Sequence, residues 1–537
     1  MDQGSSSIRR MSRRRFLGAA ATAGAGAAVL GVPGARTLAA TAPSLVGQID
    51  ATKLTSAQQL WDWQNFMMDL GPRFTGSPQH VTYLDFLESE CQAAGLTTFH
   101  DPTQLFPRWD ADYTQCAITL LENSTATPIE VMSYFPGSGN TSNMPGGVLT
   151  APVVDVGQGL PEDFAAALAT GKLKGKIALV TEPPFPMYDA AAYPYYYNYD
   201  PNNTMLPTTP FNKWSLNILS PQSLATPTLA EQAGCAGMII TMQSSRKNAL
   251  GQYISFLATI RGDQANGAPG LPTLYVDDRT GRRLKKRLRA GKVKARMTLR
   301  SNTIPNTGTD EIVAVLPGAH GDPNDLTKGE NVVIASHTDG TSASEENGPL
   351  GMLAMAKYFA QIPRAQRRRS MIFVFATGHF TGYTEDTQWF IDHHADVLEK
   401  TAATLTIEHL GQKSFTDDWR NNKYIDDKLP EIGFSYVTGE PAIIATAVAN
   451  HKKEKLLRAP VVNGPIFGVG RPFSDANLPA YAFITGPNTL YQMDKSTCLE
   501  GTDANQMYRE IKTFTRILAS WENLSKLELG AGKAILP

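Results

Sequence analysis

The chain has 537 residues, with 42% hydrophobic and 18% charged side chains, the balance of a globular protein with more than one core and not of a disordered chain. Its 49 basic and 50 acidic residues give a formal net charge of −1, which excludes the strong positive field expected of a nucleic-acid-binding protein. Four cysteines without a C-x-x-C pair exclude a cysteine zinc site or a dithiol redox motif.

Residues 1–42 carry six arginines against one acid, Asp2, so residues 43–537 hold 43 basic and 49 acidic groups, a net charge of −6. This block reads as a cleaved leader: a basic start, a Gly/Ala-rich apolar stretch from Phe16 to about Val32, then small residues at Ala39, Ala40 and Ala42. Within it, Ser12-Arg13-Arg14-Arg15-Phe16-Leu17 resembles the twin-arginine export signal. The stretch is too short and too rich in glycine for a membrane span. The expectation is a protein exported by that route, secreted or extracytoplasmic, with no stable membrane anchor after cleavage.

Residues 43–145 begin with two punctuated helices. Ser56 caps the first, whose apolar stripe runs through Leu60, Trp61, Phe66, Met67 and Leu70 to Gly71-Pro72. Ser77 and Pro78 open the second, which ends at Gly95. Thr114 to Leu121 reads as a strand. From 146 to 305 the texture changes to short β-runs at 148–156, 176–180, 237–242 and 273–276, with a short helix at 229–234. The run from Arg282 to Arg296 holds nine basic residues with Leu284 and Leu288 four apart, the pattern of a solvated helix face. The loop from Pro183 to Phe211 carries Tyr188, Tyr193, Tyr195, Tyr196, Tyr197 and Tyr199. So aromatic a loop is either a wall or lid over a site, which would make Tyr195, Tyr196 and Tyr197 substrate-binding, or a packing element.

Residues 306–537 alternate strands at 311–316, 332–336, 371–376, 405–408 and 481–485 with helices at 348–361, 385–398, 441–457 and 505–524. Alternation of this kind predicts an α/β fold, a mostly parallel sheet with helices on both faces. Ligands in such sheets collect at the carboxyl ends of the strands. Three successive strands end in His337-Thr338-Asp339, Gly378-His379 and Glu408-His409. Imidazoles and carboxylates gathered at one sheet edge are what a divalent ion such as zinc requires, and Asp339 is placed to orient His337. There is no G-x-S-x-G elbow, H-E-x-x-H helix, P-loop or G-x-G-x-x-G turn, so serine-hydrolase, zincin and nucleotide chemistry are unsupported.

Residues ~50 to 140 and ~310 to 525 resemble the exported zinc aminopeptidase and glutamate carboxypeptidase-like peptidases. The resemblance rests on Leu70-Gly-Pro-Arg-Phe-Thr-Gly76, Ala94-Gly-Leu96, His337-x-Asp339, the glycine-rich turn into the helix from Gly348 to Phe359, and Phe473-Ser-Asp-Ala-Asn-Leu-Pro479. The interrupting stretch resembles a protease-associated domain through Lys174-Gly-Lys-Ile-Ala-Leu-Val180, Glu231 to Ile240 and Pro272-Thr-Leu-Tyr-Val276. The family implies two zinc ions and a glutamate that activates water. This sequence matches the first histidine ligand with His337, leaves the bridging acid open among Ser344, Glu345 and Glu346, and has Gly378 and His379 where paired glutamates are expected. Glu408 stands for an aspartate ligand and Gln492 for the last histidine.

The expectation is therefore a rebuilt zinc site, with one divalent ion and two not excluded, held by His337, His379 and Glu408 with His409 in reserve. Of Glu345 and Glu346, one is a ligand and the other the general base, with Asp339 as the orienting acid. Asp475 and Gln492 join the tyrosines as substrate-binding residues. The expected activity is metal-dependent cleavage of an amide or peptide bond in a small molecule or peptide, with no nucleic-acid partner. The alternative is a non-catalytic relative that binds a ligand in the same cleft.

Overall fold

The computed structural model describes residues 44–122, 125–182, 194–205, 221–253, 270–381 and 386–532. The leader and the loop residues Tyr188 and Tyr193 lie outside the described residues.

Five strands position the site: β1 (Asp310–Leu316), β2 (Asn331–His337), β3 (Ser370–Ala376), β4 (Thr401–Ile407) and β5 (Ala480–Thr485). They are nearly continuous apolar runs, and β2, β3 and β4 are buried along their whole length, as strands covered on both faces must be. They form the middle of a nine-stranded sheet in the order Thr97–Pro102, β1, β3, β2, β4, β5, Gly433–Val437, Val461–Asn463, Tyr195–Tyr197. β3, β2, β4 and β5 run parallel.

One face of this sheet is covered by α1 (Ala57–Asp69), α2 (Pro78–Ala93), α4 (Gly348–Ala360), α5 (Pro441–Glu454) and α6 (Ala504–Trp521), which share a single apolar core with it. A smaller core, including Phe390, Ile391 and Phe473, covers the other. Ser56 and Ser77 cap α1 and α2, each accepting the backbone N–H three residues on at 3.1 Å. The expected helix at 385–398 is instead two, Thr387–His393 and Ala395–Leu398, divided at His394, whose φ of −128° is not helical.

The second sheet has eight strands and its own core. Its parallel centre is Leu149–Asp155, Ile177–Glu182, Gly237–Met242 and Thr273–Asp277. It also takes in Ala117–Glu122, Thr125–Ile129 and Ser133–Tyr134, so it starts about 30 residues before the expected boundary at 146. The basic run divides between α3 (Asp278–Ala290) and the strand Lys294–Thr298. The four cysteines are unpaired. Among the described residues no helix is long and apolar enough to cross a membrane.

Candidate metal centre

The carboxyl ends of β2, β3 and β4 deliver their side chains to one place. His337, Glu408 and His409 offer ligand atoms that all lie within 4.8 Å of one another, and so do His337, Glu345 and His379. His337 Nε2 is 3.7 Å from Glu408 Oε2, and His379 Nε2 is 3.5 Å from Glu345 Oε1. His409 Nε2 is 3.3 Å from Glu345 Oε2 and 3.8 Å from Glu408 Oε2. Ligands bound at ~2.1 Å to one ion stand roughly 3.0 to 3.5 Å apart along a polyhedron edge; two of these separations fall in that range and two exceed it by 0.2 to 0.3 Å, so each of the two groups, which share His337, is close to the spacing an ion requires.

Each imidazole is turned inward by a partner on its other nitrogen. His337 Nδ1 donates to the Asp339 carbonyl at 2.9 Å, His379 Nδ1 to the Asp386 carboxylate at 2.6 Å, and His409 Nδ1 to the Thr485 carbonyl at 2.6 Å. This is the outer support that metal-binding histidines show. His337 Nε2, His409 Nε2 and Glu345 Oε2 are buried without a hydrogen-bond partner. Orphaned polar atoms aimed at a common point cost free energy unless something binds them, so the residues fit a divalent cation.

The local backbone explains the convergence. Successive residues of a strand point to opposite faces, yet Glu408 and His409 both face the cluster. His409 has φ of +57°, a left-handed conformation that rotates its ring to the same side. The flanking turn is fixed by Asn347, which accepts from Leu410 N at 2.7 Å and donates to Leu410 O at 2.8 Å. Glu408 Oε1 accepts the Val469 N–H at 2.9 Å. A side chain on Gly468, itself at φ +69°, would overlap that carboxylate, so the close approach requires glycine.

Burial sets the electrostatics. It pushes Glu345 up to about 7, against the pull of His379, and Glu408 up to about 8. It holds His337 down at about 4 and His409 below its usual range. Burial also opposes protonation of His379, but the Asp386 and Glu345 carboxylates hold its pKa well above the ordinary value. Its side chain is 21% exposed against at most 3% for the other four, so solvent reaches the cluster on the His379 side.

Other expected site residues have different places. Glu346 turns away and pairs with Arg73, both side chains fully buried. The Asp339 carboxylate is no partner of the His337 ring: it accepts from Thr75 Oγ1 (2.5 Å), Phe380 N (2.9 Å) and Gly378 N (3.2 Å), tying the loop that bears His379 to β2. The His337 ring is oriented instead by the main-chain carbonyl of Asp339. Gln492 is buried and its amide nitrogen donates to the carbonyls of Lys247 and Leu250, so it links this loop to the segment that carries them. Asp475 is exposed and pairs with Arg471 at 3.1 Å. Tyr195, Tyr196 and Tyr197 form the outermost strand of the nine-stranded sheet, four strand positions from β4, about 19 Å at ~4.8 Å per strand. Non-local pairing with Val461 and Val462 makes them a sheet edge and not a wall of the cluster.

The structure adds residues that the sequence reading did not single out. Thr75 belongs to Leu70–Gly76, which lies along Gly340 through Arg73 N to Gly340 O at 2.8 Å and Gly340 N to Arg73 O at 3.0 Å. His80 donates from Nε2 to Thr338 Oγ1 at 2.8 Å. Asp386 supports His379 from seven residues away. Tyr491 is buried, with a phenol whose pKa is raised by burial and by the charges of Glu345 and Glu408, and its ring meets Phe380 edge-on at 6.4 Å. The signal for Tyr491 was its neighbour Gln492, one residue off.

No family model matches the sequence, and no curated protein is similar to it in sequence. Solved structures are similar in fold. A zinc aminopeptidase from Bacillus subtilis superposes with a TM-score of 0.55 at 15% identity, over 87% of this chain and 94% of that one. An aminopeptidase from an Aneurinibacillus species gives 0.52 at 16% over 88% and 94%, and a peptidase M28 precursor from Shewanella amazonensis gives 0.60 at 17% over 91% and 96%. The chain thus has the α/β fold of the zinc peptidases, large sheets flanked by helices.

Proposed function

We propose that the chain is a metal-dependent hydrolase that cleaves an amide or peptide bond at the His337, Glu345, His379, Glu408 and His409 cluster. The observation that carries this reading is the set of three inward Nε2 atoms, each ring locked by an acceptor on Nδ1, beside two buried carboxylates. A divalent ion bound there, with zinc the choice that the similar structures favour, supplies a Lewis acid for a carbonyl oxygen and for water.

The protein's own groups supply the rest. With the ion held by the three imidazoles and Glu408, Glu345 Oε2 faces the centre without a hydrogen-bond partner and is the group placed to take a proton from water and return it to the leaving amine. Asp339 and Asp386 fix the position and charge of His379. Tyr491 offers a phenol beside both carboxylates to orient a substrate oxygen. The leader directs the folded chain out of the cytoplasm, the eight-stranded sheet is a protease-associated-like unit, and the substrate is a peptide or a small amide.

Metal analysis of full-length protein purified without chelator tests the reading. The expected content is one divalent ion per chain, lost in His337→Ala, together with peptide hydrolysis lost in Glu345→Gln. Protein that is metal-free and cannot be reloaded with zinc would refute it. One observation favours a second reading, a ligand-binding relative without turnover: Gly378, where the resemblance places a catalytic glutamate, offers only main-chain groups, its N–H to Asp339 and its carbonyl to Thr381. Metal uptake and ligand binding with no turnover across a peptide panel would select it.

A further inference from the structure

The basic face of α3 meets a second source of positive charge that is remote in sequence. Arg279, Arg282, Arg283 and Lys286 recur at helical spacing and line a groove of about 530 Å³ whose opposite wall is Arg420, Asn421 and Asn422. That wall follows the strand Lys413–Asp418 and precedes Lys423–Pro430, two strands that pair as a hairpin.

The other flank of α3 is neutralised within the chain. Arg287 pairs with Glu122 at 2.5 Å and Lys285 with Asp155 at 3.4 Å. On the groove side only Arg282 has an acidic partner, Asp278 at 2.6 Å, and it also donates to the Arg420 carbonyl at 3.3 Å. Arg279, Arg283, Lys286 and Arg420 have no ion pair among the described residues. Arg420 lies over the Trp419 ring at 4.2 Å, which holds its guanidinium in place and covers one face of that aromatic. Asn421 is held by Asp418 at 2.9 Å. Five cations, one of them paired with Asp278, face one groove in a chain whose residues 43–537 are net acidic, so an anion that enters meets four positive charges without an ion pair.

We propose that this groove binds a linear oligophosphate. Residues 279 to 286 span about 10.5 Å at 1.5 Å per residue and present four cations. An extended acidic peptide repeats a same-face side chain only every ~6.6 Å, too sparse to match them, whereas successive phosphates supply a charge at every link and accept guanidinium forks. A single nucleic-acid strand gains affinity from stacking its bases on aromatic faces, and the groove lining holds no aromatic residue. The site goes beyond the hydrolase reading and does not depend on it.

Calorimetry of the full chain with sodium tripolyphosphate at 50 and 200 mM NaCl tests the proposal. The expected result is saturable binding that weakens with salt, and a loss of about tenfold or more in Arg283→Glu/Lys286→Glu and again in Arg420→Glu, from across the groove. Lys172→Glu/Lys174→Glu makes the same charge change on the loop before Ile177–Glu182, off this helix, and is expected to leave affinity within about twofold. Unfolding midpoints like that of the parent establish that each variant is folded; Arg279→Gln replaces any variant that is not, with the same expected direction. Absence of binding at 50 mM salt, equal losses in the groove and control pairs, or tighter binding of polyglutamate or single-stranded DNA than of tripolyphosphate would each overturn the proposal.

Discussion

Glu345 and Glu346 are chemically identical neighbours with opposite surroundings, so they should fail in opposite ways. The Glu346 carboxylate meets the guanidinium of Arg73, whose other donors go to the Met67 carbonyl at 2.7 Å and the Ser342 carbonyl at 2.8 Å. Glu346→Gln leaves a fully buried cation without its counter-charge, a change that costs about 3 kcal/mol or more. Urea unfolding should report that loss, and a change below about 1 kcal/mol would mean that the carbonyls alone hold Arg73. Burial pushes both carboxyls up to about 7, but Glu345 has no guanidinium to neutralise, so the neutral amide of Glu345→Gln removes little stability. Its effect should appear in metal affinity and in turnover. Asp386 acts one step further out: Asp386→Asn keeps an acceptor for His379 Nδ1 but removes the charge that sustains it, and metal affinity measured by chelator competition should fall by about 10 to 100-fold.

Strands and helices carry their own prediction through His451. It lies on α5 with Nε2 3.0 Å from Tyr481 Oη and 3.3 Å from Ser435 Oγ, and burial pushes its pKa down to about 4. The unfolded value of 6.5 is higher, so unfolding takes up a proton between the two values, and stability rises with pH across that window. The contribution is fully present above pH 6.5 and is lost as pH falls toward 4, by at most about 3 kcal/mol. The gap between the urea midpoints of the parent and of His451→Gln should narrow from pH 7 to pH 5, which separates this histidine from the other buried groups that titrate in that range. What could be read in the sequence follows the same division. Apolar runs ending in His337, His379 and Glu408 announced both the parallel sheet and its reactive edge, because burial on two faces and strand-end placement are local patterns. The choice between Glu345 and Glu346 was not local: it is made by Arg73, some 270 residues away. Tyr195 to Tyr197 stay open in the sequence between a lid and a packing element because their pairing with Val461 and Val462 is a long-range event that no short window records.

The candidate cluster joins the two sheets as well as three strand ends, so an ion bound there would be held by the whole molecule. Phe380, next to His379, and Tyr491, beside both carboxylates, belong to the core of the eight-stranded sheet, where Tyr253 packs against Phe380 at 5.9 Å. Gln492 ties the same loop to Lys247 and Leu250. An ion that binds only the folded state stabilises it by about 2.7 kcal/mol at a free concentration 100 times its Kd. Because the loops that hold the ligands are shared, that gain should not stay in the nine-stranded sheet. Amide exchange on full-length protein with and without zinc should slow in Thr401–Ile407, which carries Glu408 at its end, and also in Ile177–Glu182, at the centre of the other sheet. His337→Ala should abolish both effects together. Protection confined to Thr401–Ile407 would show that the sheets open independently and that the Phe380 and Tyr491 contacts carry no coupling, whereas no zinc effect in either strand would remove the metal centre itself.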